Sequence, residues 1–237
     1  MLSDIPLYES PKQLFKQNAV YVVVGGLTGL GFETVKFIAE NGGGYIAILS
    51  RKIPSNKKQE EMKALQQQYK GSKVVFVQCD VTLTSDVEKA FQSILNIFAG
   101  SPIKGVFQSA VVLHDGHLEV LNLADFQKVL NPKVAGTLNL HWATRRQELD
   151  YFVCYSSVTS FLGNSTQANY AAANSFLDVF CLYRRNRGLS GQSINWGALN
   201  LGVPLKPPLP QAEQVQFPQP LLIALVLQPP SILMAFC

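Results

Sequence analysis

No block of like charge runs through this chain, and charged residues of either sign make up only 15% of its 237 positions. A net charge of +4 spread so thinly gives no footprint for a polyanion, so nucleic acid is not an expected partner. The one short basic cluster, Arg184, Arg185 and Arg187, reads as the solvated end of a helix. Cysteine is scarce, and Cys79, Cys154, Cys181 and Cys237 show no metal-ligand spacing. Cys79 and Cys154 end or interrupt apolar runs, which suits buried, reduced thiols in a cytoplasmic protein. Long hydrophobic runs are missing too. The opening "MLSDIPLYES" has neither basic flank nor apolar core, so it is no secretory leader. "LLIALVL", from Leu221 to Leu227, halts at Gln228-Pro229-Pro230, far short of the roughly 20 residues that cross a bilayer.

What is present is a chain 47% apolar, long enough to bury one sizeable core. Its order is rhythmic. "AVYVVVGG" (Ala19 to Gly26) is a β-branched apolar run closed by glycine, as expected of a strand buried on both faces. Strand-like runs recur at "YIAILS", "KVVFVQCD", "IKGVFQSA", "DYFVCYSS" and "GQSINWG". Helical patterns fall between them, at Gly29 to Asn41, Lys57 to Lys70, Thr84 or Ser85 (as cap) to about Phe98, Leu123 to Gln147 and Thr166 to Arg187. Asp86 and Glu88 are expected in the first turn of the third helix, where its dipole favours them. Six alternations with connections too long for hairpins predict an α/β fold, a doubly wound parallel sheet with helices on both faces.

In such a sheet a ligand sits beyond the carboxyl ends of the strands, where strand order reverses. "VVGGLTGLG" occupies that place after the first strand. Gly25, Gly29 and Gly31 form G-x-x-x-G-x-G rather than the ordinary G-x-G-x-x-G. Either spacing supplies a turn without Cβ atoms, close approach of a pyrophosphate and a helix N-terminus facing it. A plain glycine-rich turn satisfies the same letters. The next strand is more telling. Where an NAD site carries a carboxylate for the ribose hydroxyl, "AILSRK" offers Ser50, Arg51 and Lys52. A guanidinium clasps a 2′-phosphate that a carboxylate would repel, so the expected cofactor is NADPH. Asp80, in "QCDVT", is placed either to receive an adenine amino group or to brace a turn.

Together "VVGGLTGLG", "LSRK", "QCDVT", "GVFQSAVVLHDG", "LNPKVAGTLNLH", "YFVCYSSVTSFLGNSTQANYAAANSFLD" and "SINWGAL" resemble the ketoreductase domain of type I polyketide synthases and animal fatty acid synthases. That family lies in the short-chain dehydrogenase/reductase superfamily, and the match runs from about Ala19 to Val203. The resemblance implies a Rossmann-type fold and NADPH-dependent reduction of a β-ketoacyl thioester carried on the phosphopantetheine arm of an acyl carrier protein. It implies neighbouring synthase domains as partners and no metal. The cofactor would be held by Gly25, Gly26, Leu27, Thr28, Gly29, Leu30, Gly31, Ser50, Arg51, Asp80, Val81, Ser109 and Ala110. By resemblance Tyr170 is the acid, Ser157 orients the carbonyl, and Lys133 and Asn174 tune and relay the proton.

The chemistry needs those residue types. Hydride transfer to a ketone builds charge on oxygen, which calls for a proton donor and a second hydrogen-bond donor. A free phenol titrates near 10, so a cation must stand close to favour the phenolate. Asn174 follows Tyr170 by four residues, one helical turn. Most of the superfamily has lysine there; the ketoreductases swap it to the preceding long helix, as Lys133 and Asn174 do, which disfavours a free-standing alcohol dehydrogenase. "VVLHDG" matches the ends of a Leu-Asp-Asp stretch linked to one stereochemical class, at Leu113 and Asp115, and leans toward that class. His114 and His117 read as surface loop histidines.

Two regions depart from the family. Only about eighteen residues precede the first strand, where a full ketoreductase region has a structural subdomain. After Val203, Pro204, Pro207, Pro208, Pro210, Pro218, Pro220, Pro229 and Pro230 rule out a long helix and a central strand alike. Residues 204–237 thus read as a proline-rich tail from a truncated or alternatively spliced frame, with the lid and last strand missing. An open pocket and an uncovered edge predict weak turnover and aggregation. The alternative function is a catalytically weak, nucleotide-binding or scaffolding remnant of a megasynthase.

Overall fold

A computed structural model describes residues 14–197 and the backbone of Leu225–Val226. The chain runs β1 (Val20–Val24), α1 (Gly29–Glu40), β2 (Tyr45–Ser50), α2 (Asn56–Gln68), β3 (Lys73–Gln78), α3 (Thr84–Ile97), β4 (Ile103–Gln108), α4 (Leu123–Ala143), β5 (Tyr151–Ser157), α5 (Thr159–Leu162), α6 (Ala168–Asn186), β6 (Gln192–Trp196) and β7 (Leu225–Val226). The sheet order is β3-β2-β1-β4-β5-β6-β7, and β1 to β6 are all parallel. The chain walks outward from β1 to β3, then crosses back to β4, so the reversal lies between β1 and β4, as expected.

Strand β1 shows why the sheet sits in the middle. Val20, Val22 and Val24 enter one core with α3, α4 and α6, while Tyr21 and Val23 enter the other with α1 and α2. Both pleat faces are therefore apolar, and the run reads as unbroken hydrophobicity. Phe15 joins the second core edge-on to Tyr21 and Phe37. Residues 14–18 of the expected N-terminal remnant thus include a side chain packed on the domain; the rest of the remnant lies outside the described residues.

Several local expectations change. The α3 cap is Leu83 with no side-chain hydrogen bond, only Asp86 lies in the first turn, and Thr84 Oγ1 instead donates to Asn139 Oδ1 at 3.0 Å. Arg184 is not solvated: it is 3% exposed, its Nε donates to the Ser190 carbonyl at 2.7 Å, and its guanidinium lies 3.8 Å from the Phe152 ring centroid. Burial suits it because the planar cation stacks while its edge is hydrogen-bonded. The edge of β6 is not bare either. β7 runs antiparallel along it, with Val226 opposite Ile194 and Leu225 opposite Asn195. An edge position two residues long is the kind of strand that a proline-rich segment tolerates. The expected loss of the lid, and Cys237, fall outside the described residues, whereas Cys79, Cys154 and Cys181 are buried free thiols.

Candidate active site

Beyond the carboxyl ends of the strands lies a cavity of about 520 Å³. Its first wall is the turn between β1 and α1. Gly25 (φ +75°) and Gly29 (φ +52°) take left-handed conformations that a side chain would strain. At Gly31 the limit is space: a Cβ would stand 2.4 Å from the Gly25 carbonyl oxygen and 2.6 Å from Ser109 Oγ. Thr28 caps α1 in an extended conformation without a side-chain bond, and the first turn carries no acid. The N–H groups there have no preceding turn to bind, and Thr28, Gly29, Leu30 and Gly31 line the cavity. Gly26 and Leu27 do not reach that wall. Leu27 is buried in the core with α1, and Gly26 sits against Val23 and Ile48, so both serve the packing of the turn.

Ser50, Arg51, Asp80, Val81, Ser109 and Ala110 all line the cavity. Arg51 is exposed and also borders a smaller pocket with Gln78, Asp80, Asp86 and Lys89. Asp80 Oδ1 accepts from Thr82 N at 3.0 Å and Thr82 Oγ1 at 2.8 Å, so it braces a turn while standing at the cavity wall. Ser109 ties β4 to β1 through the Val24 carbonyl. Buried Gln108, which sequence reasoning missed, receives Ala110 N at 3.1 Å and donates to the Pro132 carbonyl at 2.9 Å. It thereby sets the height of α4 at Lys133.

At the other end Lys133, Ser157 and Tyr170 share the same cavity. Lys133 is 2% exposed; its Nζ donates to the Tyr155 carbonyl at 2.7 Å and lies 5.6 Å from the Tyr170 ring centroid. Burial pulls its ammonium down to about 8, against the pull of Cys154 and Asp178. Ser157 ends β5, and its hydroxyl accepts from Thr159 N at 3.2 Å. Asn174 is the exception. It is fully buried and off the cavity wall, with Nδ2 donating to the Tyr170 carbonyl at 2.9 Å. Its Oδ1 has no partner among the described residues.

Trp196 and Gly197 at the end of β6 also line the cavity, as do Val111, Val112 and Leu113. The rule that ligands meet strand ends could have found the first two. Asp115 stays off the cavity wall; its Oδ1 accepts from Gln167 Nε2 at 3.1 Å, and His114 Nε2 meets Asp125 Oδ1 at 2.9 Å. No group of three metal-binding side chains forms among the described residues.

The KR-domain family model matches residues 19–200. The chain belongs to that family. A highly reducing polyketide synthase of Aureobasidium melanogenum is 41% identical over 187 residues, covering 79% of this chain and 8% of the relative. The highly reducing polyketide synthase tstA of Talaromyces stipitatus is 37% identical, covering 84% and 8%. The chain thus spans less than a tenth of the length of these relatives. A solved ketoreductase domain from the bacillaene assembly line matches with a TM-score of 0.73 and 32% identity, over 80% of this chain and 47% of that one. KR domains are ketoreductases that use a nicotinamide cofactor, and the fold is that of such a domain.

Proposed function

We propose that this KR domain uses NADPH to reduce a β-ketoacyl thioester, held on the phosphopantetheine arm of an acyl carrier protein, to the β-hydroxyacyl thioester. The observation that carries this reading is the shared cavity: Lys133, Ser157 and Tyr170 open into the same space as the glycine turn and Arg51. The residues present fit the dinucleotide, because Gly25 and Gly29 hold left-handed backbone that a side chain would strain and, with Gly31, line the cavity at the N-terminus of α1, where backbone N–H groups lack a preceding turn. Gly25, Thr28, Gly29, Leu30 and Gly31 would hold the pyrophosphate, Arg51 and Ser50 the 2′-phosphate, and Asp80 and Val81 the adenine end. Ser109 and Ala110 would border the middle.

When bound, the dinucleotide would supply the hydride that the carbonyl carbon receives. Tyr170 gives its phenolic proton to the carbonyl oxygen, and Ser157 donates a second hydrogen bond to it. The Lys133 ammonium stands by the ring and stabilises the phenolate left behind. Asn174 acts from behind, its amide fixing the first turns of α6 through the Tyr170 carbonyl. Fungal synthases among the relatives favour polyketide over fatty acid synthesis, with neighbouring synthase domains as partners. Three buried free thiols suit a cytoplasmic setting, and no helix among the described residues is long and apolar enough to cross a membrane.

The test is loss of the nicotinamide absorbance with a β-ketoacyl thioester, in wild type against Tyr170→Phe. The variant should be slower by roughly 100-fold or more. Equal rates would remove the catalytic role; saturable NADPH binding without turnover in wild type would favour the non-catalytic alternative.

A further inference from the structure

Behind the cavity wall, α6 carries Tyr170, Asn174 and Asp178 at intervals of four, on one face of the helix. That face meets Asn195 of β6, which is fully buried and pairs with Ser156 in the β5–β6 ladder. Asn195 Nδ2 lies 3.0 Å from Asp178 Oδ2, 3.0 Å from Ser160 Oγ, 3.2 Å from Ser156 Oγ and 3.3 Å from the Ser157 carbonyl. A carboxylate only accepts, so the amide NH2 must be the side turned toward Asp178. We propose that Asp178 and Asn195 are positioning residues for the reduction, clamping the turn after β5 so that the Ser157 hydroxyl keeps its place on the cavity wall. This inference rests on the ketoreductase reading.

Ser157 is located by its turn. Its hydroxyl is bonded to Thr159 N, and Val158 N donates to the Trp196 carbonyl at 3.0 Å. The amide has two hydrogens, so with one given to Asp178 the other holds that turn, Ser160 Oγ at 3.0 Å being nearer than the Ser157 carbonyl at 3.3 Å. Ser160 is held again through its carbonyl by Ser175 of α6 at 3.0 Å. Ser156 Oγ donates to the Asn174 carbonyl at 3.3 Å, which ties the same strand end to the helix of Tyr170.

Stability alone does not account for the pair. Asp178 Oδ1 and Asn195 Oδ1 are buried with no hydrogen-bond partner among the described residues, a cost that an apolar pair would avoid. Asp178 therefore acts on Ser157 through Asn195.

The experiment uses the full chain with NADPH and an acetoacetyl N-acetylcysteamine thioester, together with amide hydrogen exchange. Asn195→Ala should lower kcat by roughly tenfold with KM for NADPH unchanged, as expected when an oriented group drifts. Exchange at residues 157–162 should rise by about tenfold, with residues 177–184 of α6 unaffected. Asp178→Asn keeps an acceptor for Asn195, so exchange at 157–162 should stay near wild type, whereas Asp178→Leu, which removes it, should raise exchange and lower kcat as Asn195→Ala does. If Asn195→Ala does not fold, Asn195→Ser carries the same expectations. Wild-type protection at 157–162 in the Asn195 variant overturns the clamp, as does wild-type kcat when Tyr170→Phe is inactive. If Tyr170→Phe matches wild type, the ketoreductase reading fails instead, and exchange still decides the clamp.

Discussion

At the β1–β2–β3 end of the cavity the walls are the glycine backbone of Gly25, Gly29 and Gly31, the exposed Arg51 and buried apolar side chains such as Leu49 and Val81. At the β5–β6 end they are polar side chains taken out of water. Lys133 and Ser157 are almost fully buried, and Asn174 and Asn195 stand completely buried behind them. The first end binds by shape and by a helix terminus, so its tolerance is steric. The second works by charge in a medium that screens poorly, so its tolerance is electrostatic. Damage at the two ends should therefore look different: lost affinity at one, lost rate and altered pH dependence at the other.

The sharpest way to break that contrast is Gly31→Val. Its Cβ would collide with the Gly25 carbonyl, so NADPH affinity should fall by well over tenfold, about 1.4 kcal/mol or more, by calorimetric titration. Loss of rate with affinity intact would blur the two ends into one. Lys133 sharpens the comparison from the other side. Only its charged form supports the phenolate, so the reduction rate should fall as pH rises through about 8. Stability runs the opposite way. Burial lowers the folded-state value from the ordinary 10.5 to about 8, so the unfolded chain holds the proton more firmly. The penalty, of the order of 3 kcal/mol, is full below pH 8 and fades as pH climbs toward 10.5. Lys133→Met should therefore be inactive yet melt higher than wild type at pH 7, with the gain shrinking by pH 10. A smaller effect is expected of Arg51→Ala. Because Arg51 is exposed, its loss should reduce preference for NADPH over NADH by roughly tenfold and leave kcat with NADPH nearly unchanged.

The same contrast explains what could be seen in the sequence. The glycine turn, Ser50, Arg51 and the strand ends are local signals, since each sits within a few residues of the element that positions it. Tyr170 and Ser157 were visible through their spacing and their resemblance to a family. Asn174 could be named but not placed: a four-residue interval puts it under Tyr170, yet whether that face meets the cavity or the sheet depends on how α6 sits against β5 and β6. The buried place of Arg184 was hidden for a like reason. Its partners, Phe152 and Ser190, come from β5 and the loop before β6, and a basic triplet at a helix end looks the same whether or not it bends inward. Gln108 and Asn195 gave no local signal, because their partners lie on α4 and on α6. The two-residue β7 was hidden by its prolines, which argue against a strand without forbidding a short edge pairing.

Trp196 lines the cavity at the end where reduction would occur, whereas Trp142 is exposed at the end of α4. In a Trp142→Phe background, indole emission reports on the cavity alone, and the reduced nicotinamide band absorbs that emission. Titration with NADPH should quench Trp196 saturably, and Gly31→Val should abolish the quenching at the same concentrations. Emission that stays constant as NADPH is added, or that falls equally in the Gly31 variant, would contradict a dinucleotide bound along the strand ends.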